Sequence, residues 1–250
     1  PRNIIARMQS LEYDRSFLAA RILLDKINAN MIISGAFGLF EKKTVIAVGG
    51  YDNSTMGEDM ELVVRLHEFS RMNRKPYKID FAQDAICWSQ TPEKLSELGK
   101  QRKRWQRGLF QCMWRHRKML ANPRYGAVGL LSYLYFLFYE LLSPFIELLG
   151  VLTMVLSVMM DMLNVKFMLA FLACYALYGI LLTLTAYFSR IYTIDQRLSF
   201  RELILAIIAC FFETTFLRFY LAFVRVTAFV GYKKNKLNWG KLERKKMNGI

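Results

Sequence analysis

Residues 167–188, FMLAFLACYALYGILLTLTAYF, run for 22 positions without a single charged side chain. Wound as a helix at about 1.5 Å per residue, such a stretch reaches about 33 Å, enough to cross the hydrocarbon core of a bilayer. No soluble surface helix tolerates an apolar run of this length all round its circumference, so this segment is expected to span a membrane. The apolar run at 125–160 carries Glu140, Pro144 and Glu147 and reads as an interfacial or kinked helix leading into a span. Residues 203–232 open apolar and then take up Glu213, Arg218 and Arg225. Isolated charges of that kind suit a helix lying in, or dipping into, the interface.

Cations mark the sides. Arg190, Arg197 and Arg201 follow the clear span and Lys233, Lys234, Lys236, Lys241, Arg244, Lys245 and Lys246 fill the tail, while the turn at 161–166 is poor in them. By the positive-inside rule the 190–201 loop and the tail face the cytoplasm, which makes this a multi-pass protein of the cell (inner or plasma) membrane with its N-terminal part cytoplasmic. The expected layout is a folded region at 1–125, membrane helices at 126–232 and a basic tail at 233–250 resting on anionic lipid. The net charge of +15 demands an anionic partner. Because the cations gather at membrane boundaries and not along one soluble face, nucleic acid is not that partner. Cys87, Cys112, Cys174 and Cys210 show no C-x-x-C spacing and read as reduced, and with His67 and His116 as the only histidines no zinc site is expected. The chain opens at Pro1 with neither Met nor a signal-peptide pattern, and reads as part of a longer one.

The first 125 residues read as mixed α/β. Helical periodicity covers 11–27 and 58–71, the latter with Leu62, Leu66 and Phe69 on one face; 31–40 and 77–82 read as strands. A long helix is expected over 93–120. Its Leu98, Trp105, Leu109, Cys112, Met113, His116 and Leu120 fall near one stripe and its cations mostly elsewhere, giving a basic amphipathic helix at the bilayer surface.

Three short motifs carry the chemistry. "GEDMEL" at 57–62 sets Glu58 and Asp59 at a helix start, where carboxylates also simply complement the dipole. "SGAFGLF" at 34–40 has glycines that let a ligand approach the backbone, or that mark a bulge. "QRKRW" at 101–105 buries a tryptophan among cations, where it also serves as an interface anchor. Taken in order, a Gly-rich segment, Gly57-Glu58-Asp59, Gln101-x-x-Arg104-Trp105 on an amphipathic helix and then apolar spans, the chain resembles the C-terminal half of membrane-embedded family 2 glycosyltransferases, the synthases of cellulose, chitin, hyaluronan and poly-N-acetylglucosamine. "LEYDRSFLAAR" (11–21), "VGGYD" (48–52), "ELLSP" (140–144) and "NWGKLERK" (238–245) belong to the same pattern.

That resemblance implies a fold and roles. The α/β region would be the C-terminal part of a GT-A-type domain, acting as an inverting transferase that moves a sugar from a nucleotide-sugar donor, UDP-hexose or UDP-N-acetylhexosamine, to a glycan or lipid-linked acceptor. Asp59 would be the general base and Glu58 its support. Arg104 would bind the diphosphate, Gln101 would hydrogen-bond near the acceptor, Trp105 would stack on the acceptor sugar, and Ser34, Gly35 and Gly38 would line the pocket. A divalent metal, Mg or Mn, is implied, with a D-x-D holding it. No D-x-D occurs in this sequence, so the metal ligands are expected in a donor-binding half N-terminal to these residues. Ser89-Gln90 stands where relatives carry a Glu after the Trp, so the 87–92 loop is assigned no role and Trp88 reads as core. Two alternatives stay open: a single-step lipid glycosyltransferase of the same fold, and a non-catalytic scaffold or transporter subunit whose basic helix binds lipid.

Overall fold

A computed structural model describes residues 3–74, 77–82, 85, 87, 89–194 and 199–233. Trp88, Arg197 and the basic tail beyond Lys233 lie outside the described residues. The chain starts with α1 (Ile4–Asp14), whose first free N–H groups, those of Ile5 and Ala6, donate to the Asn3 side chain at 2.8 and 3.2 Å. A widened π-helical stretch, Arg15–Arg21, carries it into α2 (Ile22–Lys26). The helix therefore begins seven residues before the expected start, because Asn3 supplies the cap that hydropathy does not reveal. Next come α3 (Lys42–Ala47), α4 (Glu58–Met72) and α5 (Leu95–Arg115). The last is shorter than the expected 93–120, ending at His116 where the chain tightens into a 3-10 turn, Arg117–Met119.

The expected strands are absent: among the described residues there is no β-strand, and the α/β expectation is met only in its helices. The reason is visible at 77–81. Asn28 leaves α2 in the left-handed region (φ 49°), and its side chain donates to the Tyr77 carbonyl (3.1 Å) and accepts from the Ile79 N–H (3.1 Å), while Asp25 Oδ1 accepts from Phe81 N–H (2.7 Å). Two polar side chains thus do for this extended segment what a neighbouring strand would do. Its apolar side chain Ile79 is buried with Leu62, Val63 and Leu66 of α4, and Ile33 and Phe40 of the other extended segment pack on the same cluster.

Three further helices, α6 (Val128–Met159), α7 (Val165–Ile194) and α8 (Phe200–Phe229), are long and apolar enough to cross a membrane. α6 and α7 are barely covered, with 11% and 6% of their most apolar windows buried, whereas α8 has 35%. α8 lies against the N-terminal helices: Ala209, Cys210, Leu217 and Leu221 are buried with Met8 and Leu11 of α1 and Leu98 of α5, and Tyr220 donates to the Leu95 carbonyl at 2.9 Å.

The charges that argued for an interfacial α8 are not isolated. Glu213 takes a two-pronged contact from Arg15 (2.8 and 3.0 Å), Arg218 pairs with Glu147 (2.7 Å), and Arg225 donates to Gln106 Oε1 (2.7 Å) and to the Glu140 carbonyl. Glu140 and Glu147, which made 125–160 look interfacial, are therefore partners of α8. Charges paired inside a helix bundle say nothing about whether a helix spans or lies flat, so that line of reasoning falls away, and α8 joins α6 and α7 in having the length and apolarity to cross.

Candidate active site

The centre of the site is a helix crossing made possible by two glycines. Gly57 caps α4 and Gly108 sits in the middle of α5; a Cβ on Gly108 would lie 2.7 Å from the Gly57 nitrogen and 2.8 Å from its Cα. At Gly108 only hydrogen fits, and at Gly57 a Cβ would lie a tight 3.1 Å from the Gly108 backbone, so the two backbones touch. Gln111, one turn beyond Gly108, clamps the approach by accepting from Met56 N–H (2.8 Å) and from the Thr55 hydroxyl (3.2 Å). Gly108 follows Gln101, Arg104 and Trp105 at the seven-, four- and three-residue spacings that share one helix face. The crossing therefore delivers the first turn of α4, with Glu58 and Asp59, to the Q-x-x-R-W face of α5.

Asp59 is half-buried. Its Oδ2 accepts from Gly35 N–H at 3.2 Å and its Oδ1 from Met60 N–H at 2.8 Å, which holds the carboxylate while leaving lone pairs on both oxygens for an incoming donor. A Cβ on Gly35 would meet the Asp59 side chain at 3.5 Å, so the glycine-bearing segment and the carboxylate are neighbours. Burial pushes the Glu58 carboxyl above its usual range; the adjacent Asp59 adds to this and Arg104 partly opposes it. Arg21, the last residue of the "LEYDRSFLAAR" stretch, faces the same charge: burial lowers it to about 10 while Asp59 and Glu140 pull the other way. Two carboxylates at an α4 N-terminus between two guanidinium groups form a place where a proton can be taken and an anion held.

Trp105 is 40% exposed, with one side occupied. The guanidinium of Arg102 lies 4.5 Å from its ring centre and 5.6 Å from that of Tyr13, and the two rings are 6.4 Å apart. Arg102 itself is buried and donates to Glu12 at 2.6 Å, tying α5 to α1. Gln101 Oε1 is buried without a hydrogen-bond partner among the described residues. The remaining expected residues are Ser34 and Gly38. Gly38 is closed in by Ile33 and Phe40, each 2.9 Å from where its Cβ would be, and the Ser34 carbonyl closes a turn with Phe37 N–H at 3.0 Å. Ser34 precedes the Gly35 whose N–H meets Asp59, whereas Gly38 faces Ile33 and Phe40.

The "VGGYD" loop is structural support. Gly49 and Gly50 have φ of 90° and 73°, the left-handed region that favours glycine. Arg65 donates to the Val48 and Gly50 carbonyls (2.6 Å each) and to Glu61 (2.8 Å), and Arg115 reaches Asp52 and Ser54. His116 closes the network between Glu68 (2.7 Å) and Glu61 (3.3 Å). Among the described residues no group of three or more His, Cys, Asp or Glu side chains is placed to hold a metal ion. Glu58 and Asp59 feel the charge of Arg104 and Arg21, which works against a divalent cation at that point.

The residues that sequence reasoning passed over are Gly108, Gln111, Arg102 and the Glu12–Tyr13–Arg21 group. Arg102, inside "QRKRW", and the Glu12–Tyr13–Arg21 group carried a signal, each as part of a recognised stretch without an assigned role.

A family model, glycosyl transferase family group 2, matches residues 1–231. Among curated proteins, the poly-beta-1,6-N-acetyl-D-glucosamine synthase of Staphylococcus aureus (strain COL) is 32% identical over 113 residues, 45% of this chain and 26% of that protein. The synthase of the same name from Staphylococcus epidermidis (strain ATCC 35984) is 31% identical over the same length. The match thus covers about a quarter of the curated relatives' length. No solved structure matches the chain.

Proposed function

Because the chain belongs to glycosyl transferase family group 2, we propose that it carries the acceptor side of an inverting glycosyltransferase that extends a membrane-associated polysaccharide from a nucleotide-sugar donor. The relatives' names favour UDP-N-acetylglucosamine as donor and a β-1,6-linked glycan as acceptor. What supports this reading is the Gly57–Gly108 contact, which brings the start of α4 against α5 one turn beyond Trp105.

In this reading Asp59 accepts the proton of the acceptor hydroxyl as its oxygen attacks the anomeric carbon. The new glycosidic bond forms on the face opposite the departing diphosphate, which leaves with the bonding electron pair. Gly35 N–H keeps the Asp59 carboxylate aimed. Arg104 holds the diphosphate through paired N–H contacts and offsets its growing charge, and Glu58 steadies Arg104. Gln101 spends its unpartnered oxygen on an acceptor hydroxyl, and Trp105 offers its ring to the C–H face of the terminal sugar. Residues 1–125 work at the cytoplasmic face of the cell membrane, with the helices at 126–232 anchoring them. Asp59→Asn in membranes tests the assignment: donor binding should persist while transfer from UDP-N-acetylglucosamine falls by about 10²–10⁴-fold, and near-normal transfer would remove Asp59 from the role.

A further inference from the structure

We propose that Arg102 is a positioning residue for the acceptor sugar, acting as a cationic bed that fixes the Trp105 ring and leaves only its outer face to the substrate. The inference rests on the reading of Trp105 as the acceptor-stacking residue. Three features argue that Arg102 does more than tie two helices together. A guanidinium whose task is to hold a carboxylate forks onto it with two N–H groups; Arg102 reaches Glu12 with one N–H group, at 2.6 Å, and its Nε is buried with no hydrogen-bond partner among the described residues. The bond to Glu12 therefore anchors one N–H group and leaves the plane of the guanidinium to be set by its other neighbours. What the guanidinium does meet is aromatic: Trp105 at 4.5 Å and Tyr13 at 5.6 Å from its central carbon. Both distances are within the range over which a cation is held by a ring face, and the interaction strengthens when the cation is desolvated, as at 8% exposure Arg102 is.

The consequence concerns Trp105. A ring 40% exposed on a helix surface would ordinarily move among rotamers. Here Arg102, one turn back on α5, covers one face, and Tyr13 on α1 lies tilted alongside it at 36° and 6.4 Å. The open face is the one left for a pyranose, already ordered before the sugar arrives, so less entropy is lost on binding. Glu12 holds Arg102 from the α1 side, and the bed is built from two helices 90 residues apart in sequence.

The test uses the full-length protein in membrane vesicles, with UDP-N-acetylglucosamine as donor and a soluble N-acetylglucosamine oligosaccharide as acceptor. Arg102→Lys keeps the charge for Glu12 and loses the planar stack. It should raise the acceptor KM about tenfold while leaving the donor KM and the rate at saturating acceptor unchanged. It should also shift the 19F resonance of 5-fluorotryptophan at position 105, assigned by its loss in Trp105→Phe. In a Trp105→Leu background the same Lys substitution should add nothing, since the ring it positions is gone. An unchanged acceptor KM and resonance in Arg102→Lys would overturn the inference, as would a full Arg102→Lys effect in the Trp105→Leu background, which marks a purely structural role. If Trp105→Leu itself leaves the acceptor KM unaltered, the stacking reading falls and takes this inference with it.

Discussion

Gly108→Ala isolates the helix crossing from every chemical group around it. The added Cβ would lie 2.7, 2.8 and 2.9 Å from the Gly57 nitrogen, the Gly57 Cα and the Met56 carbonyl carbon, all of them backbone. To reach 3.4 Å, where ordinary contact begins, the start of α4 must move by about 0.7 Å relative to α5. Overpacking of this kind costs about 1–3 kcal/mol, and alanine returns about 1 kcal/mol over glycine in a helix interior. The fold should therefore survive with a net loss of about 0–2 kcal/mol. The chemistry is less forgiving: displacing Asp59 from the Arg104–Trp105 face by most of an ångström should slow transfer by about 10- to 100-fold. Gly150→Ala is the control, because it makes the same change in a helix with nothing within 4 Å of the new atom. Sugar transfer and thermal unfolding, measured on both variants in membranes, decide the matter. Normal transfer by Gly108→Ala, or an equal loss in Gly150→Ala, would refute the argument that backbone contact sets the site.

Arg104→Lys should lose most transfer while keeping its charge, since a point charge cannot reproduce a two-pronged phosphate contact; full activity with Lys would make Arg104 mere surface charge. His67 donates from Nε2 to the Asn30 carbonyl (2.7 Å), and burial lowers it to about 4, well below its value of about 6.5 in an unfolded chain. The unfolded state therefore takes up a proton first, so stability is complete above pH 6.5 and falls by about 3 kcal/mol as pH drops towards 4. Denaturation midpoints across that window should fall in the native protein and stay flatter in His67→Gln, which can still donate to Asn30; parallel slopes would exclude His67 as the cause.

Periodicity made α4 and α5 legible as helices, and a face such as Leu62, Val63 and Leu66 reports burial directly; on α5 it picked out Leu98, Cys112 and Met113 but missed the buried Arg102 and Gln106, and Trp105 on the same stripe is 40% exposed. The extended segments were misread for a local reason. Ile79 and its neighbours have strand-like composition, but the groups that satisfy their backbone are the side chains of Asn28 and Asp25, some fifty residues earlier, and no pattern in 77–82 announces that. Asp59, Arg104 and Trp105 could be named from motif and order; the close approach of α4 to α5 could not, since it depends on Gly108, which in a sequence is only a weak helix former. The charges of α8 failed in the same way. A lone Arg218 looks solvent-bound until Glu147, 71 residues away, is seen beside it.

Arg15 and Glu213 show what such pairs do. Arg15 reaches Glu213 with two N–H groups and the Thr183 hydroxyl at 3.1 Å, joining the end of α1 to α7 and α8. A buried pair of this kind adds little net stability, because desolvating both charges offsets most of their attraction, yet removing one partner leaves a buried charge uncompensated. Glu213→Leu alone should therefore destabilise by about 3–5 kcal/mol, and Arg15→Met with Glu213→Leu should recover most of that. Activity is expected to part company with stability. Arg15 lies two residues beyond Tyr13 and three beyond Glu12, the residues that hold the Arg102–Trp105 stack, so the pair sets where α1 presents them. Apolar contacts lack the directionality of a two-pronged ion pair, and the double variant should regain most of its stability while its acceptor KM stays raised. Thermal unfolding and acceptor titration on the same membranes separate the two effects, and a double variant restored in both would show that the ion pair does nothing beyond filling its own space.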